Sequence, residues 1–161
     1  MTAEETIVHT LIGKFGFLEN RIRVQRARRI IADVDAGRFE EVFAHLIKDI
    51  EFSILCTITG LDEGATLGFI YHMARPDGIV LSLKIAVPKE KPVINTVMRY
   101  FPCAEIYERE LADLLGVEVK GLGPGNRYPL PDDWPQGEYP LRKDWKKKAA
   151  GKSKGEAEKS A

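Results

Sequence analysis

Ile79-Val80-Leu81-Ser82-Leu83-Lys84-Ile85-Ala86-Val87 is the stretch on which the fold turns. Ile79, Leu81, Leu83, Ile85 and Val87 alternate with mostly polar positions, the period-two pattern of a strand with one buried face. Two further β-rich runs precede it, Phe52 to Thr59 and Leu67 to Met73. The connectors Asp62-Glu63-Gly64 and Arg75-Pro76-Asp77-Gly78 are short and built from turn residues, so the three strands should form antiparallel hairpins. Pro88 to Pro92 ends the sheet.

Working towards the N-terminus, Phe39, Val42, Phe43, Leu46, Ile47 and Ile50 recur at helical spacing and form the clearest amphipathic helix of the sequence. Ile22 and Val24 alternate with Arg21, Arg23 and Gln25 as a short strand, and Ile30 to Val34 continues or repeats it. The intervening Arg26, Arg28 and Arg29 are most simply a solvated face. Thr2 and Glu5 fit a capping box for a helix over 3–15 with Ile7, Val8, Leu11, Ile12 and Phe15 on one stripe, stopped at Gly16. Towards the C-terminus the sequence predicts a short helical piece near Val93–Tyr100. A helix follows from about Cys103 to Leu115, with Tyr107, Leu111, Leu114 and Leu115 on its apolar side and Gly116 as a left-handed cap. The expected fold is therefore α+β: one domain over 1–116, with two helices of the N-terminal half packed on a mostly antiparallel sheet and a further helix near 103–115.

Residues 117–145 differ in kind. Five prolines and four glycines forbid a helix and favour extended segments and turns. Yet this arm carries Leu122, Tyr128, Leu130, Trp134, Tyr139, Leu141 and Trp145. Burying each such side chain is worth roughly 1.5–3 kcal/mol, so they must find a surface. Two readings are open: the arm covers its own domain, or it lies on a partner, where Tyr, Trp and Arg often dominate the binding energy. Residues 146–161 have nothing to bury and are expected to form a disordered basic tail.

Net charge is zero over 161 residues but uneven. From Arg142 onward there are eight Lys or Arg against three acids, leaving an acidic body that argues against a nucleic-acid-binding fold. No apolar run approaches the ~18 residues of a membrane span. Met1-Thr2-Ala3-Glu4-Glu5 is acidic where a secretory signal would be basic, so a cytoplasmic location is expected. Cys56 and Cys103 make no disulfide framework and no cluster motif. His9, His45 and His72 lack ligand-spaced companions and read as ordinary helix or strand residues. No nucleophile, base pair or metal box stands out, and no cofactor is expected on this polypeptide.

Four motifs occur in order at close spacing: Tyr107-Glu108-Arg109-Glu110, Asp113-Leu114-Leu115-Gly116-Val117, Leu130-Pro131-Asp132-Asp133-Trp134 and Pro140-Leu141-Arg142-Lys143-Asp144-Trp145. With Thr59-Gly60-Leu61-Asp62 and Ile70-Tyr71-His72 upstream, the set resembles the 30 kDa subunit family of respiratory complex I (NADH-quinone oxidoreductase) and its hydrogenase relatives, over roughly residues 5–145. The resemblance implies a non-catalytic subunit in the hydrophilic arm of a membrane oxidoreductase, without cluster, flavin or metal. It would pack on the large subunit (49 kDa type) related to the catalytic polypeptide of nickel-iron (NiFe) hydrogenases, beside cluster-bearing small subunits. It would be peripheral on the cytoplasmic face of the inner membrane through that complex. The respiratory members usually carry His-Pro and a pair of arginines before the Leu-Leu-Pro stretch. Here Gly121 to Pro129 has no His-Pro and one arginine, which looks more like the energy-converting membrane-bound hydrogenases.

The resemblance makes Glu108, Arg109, Glu110, Asp113, Gly116, Arg127, Trp134, Leu141, Arg142, Lys143 and Asp144 candidates for docking. From the residues alone, the acids read as a solvated helix face with an Arg109–Glu105 pair worth at most ~0.5 kcal/mol. Arg127 and Arg142 could bridge the arm to carboxylates, since a planar guanidinium grips both oxygens, or could simply be solvated. Two rival readings are a stand-alone protein- or peptide-binding module using the aromatic arm, and a small hydrolase using two of Glu105, Glu108, Glu110 and Asp113.

Overall fold

The computed structural model describes residues 1–146. Most of the expected basic tail therefore lies outside the described residues. Helix α1 (Ala3–Lys14) opens on the capping box: Glu5 N–H donates to Thr2 Oγ1 (3.2 Å) and Thr2 N–H to Glu5 Oε2 (2.7 Å). Phe15 caps its end and Gly16–Leu18 makes a 3₁₀ turn. Strands β1 (Ile22–Arg26) and β2 (Arg29–Asp33) form a hairpin about Ala27-Arg28. Helix α2 (Phe39–Lys48) turns Phe39, Val42, Phe43 and Leu46 inward.

Strands β3 (Ile54–Asp62), β4 (Thr66–Ala74) and β5 (Val80–Pro88) form the antiparallel meander. Its turns use the chemistry read from the sequence. Asp62 Oδ1 accepts from Gly64 N–H and Asp77 Oδ1 from Ile79 N–H, and Gly64 and Gly78 sit at positive φ. The sheet order is β1-β2-β5-β4-β3, with only β2 and β5 parallel. The molecule is thus a single α+β domain on a mostly antiparallel five-stranded sheet.

One expectation fails. Val93–Tyr100 is not helical: Val93–Asn95 is a strand, β6, paired in parallel with β7 (Glu118–Lys120) beyond helix α3 (Ala104–Leu115). Branched Val93 and Ile94 favour extended backbone, and the pairing buries Ile94. The same pairing ties the first residues after Gly116 to the body, so the arm departs only after Lys120.

The register puts Ile30, Ala32, Leu81, Leu83, Ile85, Tyr71, Phe69 and Ile58 on one face, in one core with Ile7 and Leu11 of α1, Phe43 of α2 and Leu111 of α3. The helices therefore cover that face. The reverse face carries Arg23, Ile31, Ile70, His72, Val80 and Ser82, all half-buried or exposed. His72 bridges it, Nε2 to Thr59 Oγ1 (3.1 Å) and Nδ1 to Ser82 Oγ (2.8 Å).

Candidate functional site

Arg109, Asp113, Gly116, Arg127, Leu141 and Arg142 gather where the arm crosses α3. The last turn of a helix leaves carbonyls without intrahelical partners. Here the arm supplies them. Leu141 N–H donates to Leu114 O (3.1 Å), and Arg142 Nε donates to Leu115 O (2.7 Å), with Nη2 at 3.5 Å from Gly116 O. A cation at a helix C-terminus also meets the negative end of the helix dipole. The Arg142 guanidinium lies 4.8 Å over the Tyr139 ring. That ring packs on Gly116, where φ is +70° and an added Cβ would stand 2.3 Å from ring carbon. Gly116 is needed twice, for the left-handed cap and for the close approach of the arm.

One turn earlier, Asp113 takes the arm with both oxygens. Oδ1 accepts from Arg127 Nε (2.9 Å) and Oδ2 from Leu130 N–H (3.1 Å). Arg127 Nη1 continues to Trp134 O (2.6 Å), so one guanidinium joins helix and arm. The Asp113 side chain is only 11% exposed, which makes this a largely desolvated pair. Arg109 does hold Glu105 (2.7 Å), but it also donates to the carbonyls of Gly123 and Pro124. A Cβ on Gly125 would collide with that guanidinium.

The far end of the arm is clipped to the sheet. Asp62 accepts from Gly64 N–H, Lys89 Nζ (2.7 Å) and Lys143 N–H (2.8 Å), and Lys89 also pairs with Asp144 (2.9 Å). The Lys89 bond, then the two N–H groups, hold the Asp62 carboxyl well below the usual carboxylate range. The Asp144 carboxyl is held low by Lys89 as well.

Several expectations are corrected. Glu108 takes no part in a surface acidic patch. It is fully buried, accepting from Thr96 Oγ1 (2.6 Å) and Val97 N–H (2.7 Å), and burial pushes its carboxyl up. Ala104, Glu108, Leu111 and Leu115 share one helix face, and that spacing is visible in the sequence. Of the four acids that the hydrolase reading draws on, Glu108 is buried, Asp113 holds the arm and Glu105 pairs with Arg109. Arg142 serves helix carbonyls and not a carboxylate. Trp134 is no free anchor: its ring faces Trp145 at 5.9 Å, and its Nε1–H donates to Glu138 O (2.8 Å). Neither tryptophan is tucked beneath the sheet. In the sequence Asp62 and Lys89 read only as turn and connector residues. They are 27 positions apart and meet through the fold, so no local pattern reveals them.

Beside the exposed polar residues of the arm, such as Asp132, Asp133 and Gln136, three large apolar side chains stay outward where it crosses α3. Ile106, Tyr128 and Leu141 are 47%, 42% and 54% exposed. A cleft of about 480 Å³ runs between α3 and the arm, lined by Pro102, Cys103, Ile106, Gly125 and Tyr128 among others. Glu110 lines a second cleft, about 270 Å³, against β3 and Leu141. Among the described residues no group of three or more His, Cys, Asp or Glu could hold a metal ion. Both cysteines are free and exposed. No helix among the described residues is long and apolar enough to cross a membrane.

Fold and site together define an α+β domain with a C-terminal strap laced over its own last helix. Residues 32–150 match the family model described as respiratory-chain NADH dehydrogenase, 30 Kd subunit, and the protein belongs to that family. It is 35% identical over 137 residues to the C subunit of the F(420)H(2) dehydrogenase of Methanosarcina mazei, covering 81% of this sequence and 87% of that one. It is 37% identical over 80 residues to the beta subunit of the membrane-bound hydrogenase of Pyrococcus furiosus, covering 47% of this sequence and 46% of that one. The match thus spans most of the first relative and less than half of the second. A polypeptide of the membrane-bound sulfane sulfur reductase, an archaeal respiratory membrane complex, superposes with a TM-score of 0.77 at 29% identity, over 88% of this protein and 85% of that one.

Proposed function

We propose that this protein is a non-catalytic subunit in the peripheral arm of a complex I-related membrane oxidoreductase. It docks on the large hydrogenase-like subunit with the face built by α3 and the arm, and supports electron transfer by holding that subunit in place. The observation that carries the reading is the lacing itself. Arg127, Arg142 and Lys143 bind the arm to its own domain and so present Tyr128, Leu141 and Ile106 outward on a preformed surface. Preorganisation lowers the ordering entropy lost on association. Family membership supports the assembly. The hydrogenase and sulfane sulfur reductase relatives, with the missing His-Pro, favour the energy-converting hydrogenase branch over the quinone reductases. In this reading the protein is peripheral on the cytoplasmic face and reaches the membrane only through its partners. Residues 121–145 act as the docking arm.

Affinity purification of the tagged full-length protein from its native cell, followed by mass spectrometry, tests this. The expected result is a hydrogenase-like large subunit with cluster-bearing small subunits. Recovery of the tagged protein alone overturns it. Leu141→Asp and Tyr128→Asp should lower the yield of that assembly while the isolated protein keeps its circular dichroism. The second reading, a peptide-binding module, is favoured by the cleft beside Ile106, whose volume lies within the range of ligand pockets. It predicts a monomer in the cell that needs no fixed partner.

A further inference from the structure

The β1–β2 hairpin concentrates positive charge that the described residues neutralise only in part, through Asp35 on Arg21 and Glu4 beside Arg28. Residues 21–29 hold five arginines and no acid, while the remainder of residues 1–141 holds eleven basic against twenty-one acidic residues. Arg21 pairs with Asp35. Among the described residues Arg23, Arg26 and Arg29 have no carboxylate within ion-pairing distance. Arg26 and Arg29 are direct cross-strand partners, beside a register shift in β1. Like charges directly opposite across a hairpin are destabilising. Glu4, which reaches the turn, accepts from the backbone N–H of Arg28 (2.6 Å).

The position of these arginines is fixed. Val80 N–H donates to Arg28 O (3.0 Å), which binds the hairpin turn to the start of β5. Arg28 stands at φ +60°, a conformation that glycine or asparagine adopts more easily. Arg23 and Arg29 fall on the face of the sheet that no helix covers, with Ile31 between them in register. Their field reaches across it: partial burial, and then the Arg29 guanidinium, hold the His72 imidazole below its ordinary value. The nine residues of β5 separate Arg29, at one end, from the Lys89 clip of the arm at the other, about 25–30 Å away.

We propose that this uncovered sheet face, at its Arg26–Arg29 end, docks a second protein surface that presents carboxylates, apart from the α3–arm face. The guanidinium fork matches a carboxylate, and arginine is enriched in protein interfaces. Around it, the partly buried Ile31, Ile70 and Val80 offer an apolar centre with a polar rim, as protein interfaces do. A nucleic acid fits less well, because no Phe, Tyr or Trp stands among the residues named on this face, its one ring His72 is engaged by Thr59 and Ser82, and the rest of the body is acidic.

The inference rests on the protein being a subunit of a larger assembly. The test is arginine footprinting with phenylglyoxal, read by mass spectrometry, on the isolated full-length protein and on the complex purified through it. Arg26 and Arg29 are expected to react in the isolated protein and to be strongly protected in the complex, and to stay protected after nuclease treatment and detergent delipidation. Equal reactivity in both samples overturns the inference and leaves the α3–arm reading standing. Protection lost with lipid or with nuclease overturns it in favour of a phosphate-bearing ligand. A protein recovered alone overturns both readings. In the full-length protein, Arg26→Glu with Arg29→Glu should leave the circular dichroism unchanged and lower co-purification of the partner by roughly tenfold or more. Unchanged recovery from a folded double variant also overturns the proposal.

Discussion

Two ends of one sheet treat arginine in opposite ways. At the α3 end, Arg109, Arg127 and Arg142 each reach carbonyls of the backbone, and the first two also hold a carboxylate. At the hairpin end, Arg26 faces Arg29, and among the described residues no carboxylate lies within ion-pairing distance of either. An internal guanidinium is judged by what its loss leaves unsatisfied, whereas an unpaired surface guanidinium adds repulsion until something anionic arrives. The residue type is shared. The difference lies in whether the fold or another molecule completes it.

The largest effect is expected at Asp113. Asp113→Ala strands Arg127 and the Leu130 N–H together, and urea denaturation should register a loss of about 2–4 kcal/mol. Limited trypsin should then cut the arm before the core. If Asp113→Ala proves as mild as a surface substitution, the arm is not laced as described. Gly116→Ala comes next: the positive φ and the Tyr139 ring together should remove about 1–3 kcal/mol, measured the same way.

The clip at Asp62 weakens in acid. Its carboxyl titrates lower in the fold than in the unfolded state. Its contribution is therefore complete above its unfolded value of about 4 and fades as pH falls below that. Protection of the Lys143 amide from hydrogen exchange, corrected for the intrinsic rate, should fall in acid, and Asp62→Asn should show that loss already at neutral pH. The smallest effect belongs to the hairpin. Arg26→Gln in the isolated protein should change stability by no more than about 0.5 kcal/mol, in the stabilising direction, because it relieves like-charge opposition. A clear destabilisation would mean that Arg26 has an internal partner after all.

The layers of the fold are legible wherever a pattern is local. Ile79 to Val87 alternates, α2 carries its stripe, and Thr2–Glu5 announces a helix start. Val93–Asn95 reads wrongly as helix because its partner strand lies beyond α3, out of range of any window. The site divides the same way. Gly116 is readable as a left-handed cap, and Arg127 as a bridge to some carboxylate. That its carboxylate is Asp113, that Arg142 serves carbonyls, and that Asp62 holds Lys143 depend on how the arm folds back. Glu108 misleads for another reason. Its charge outweighs, in the sequence, its place on the inward face of α3, where Thr96 and Val97 satisfy it.

The lacing of α3 has a mechanical side. Its final carbonyls are held by Leu141 and Arg142, and its middle is pinned through Glu108 to the loop after β6. Tension on the strap is therefore delivered to the helix axis and onward to the meander, without a slack hinge in between. A neighbour seated on the outer side of the strap would grip the whole domain as a handle, so shear between subunits would be shared by the sheet and not dissipated in a loose tether.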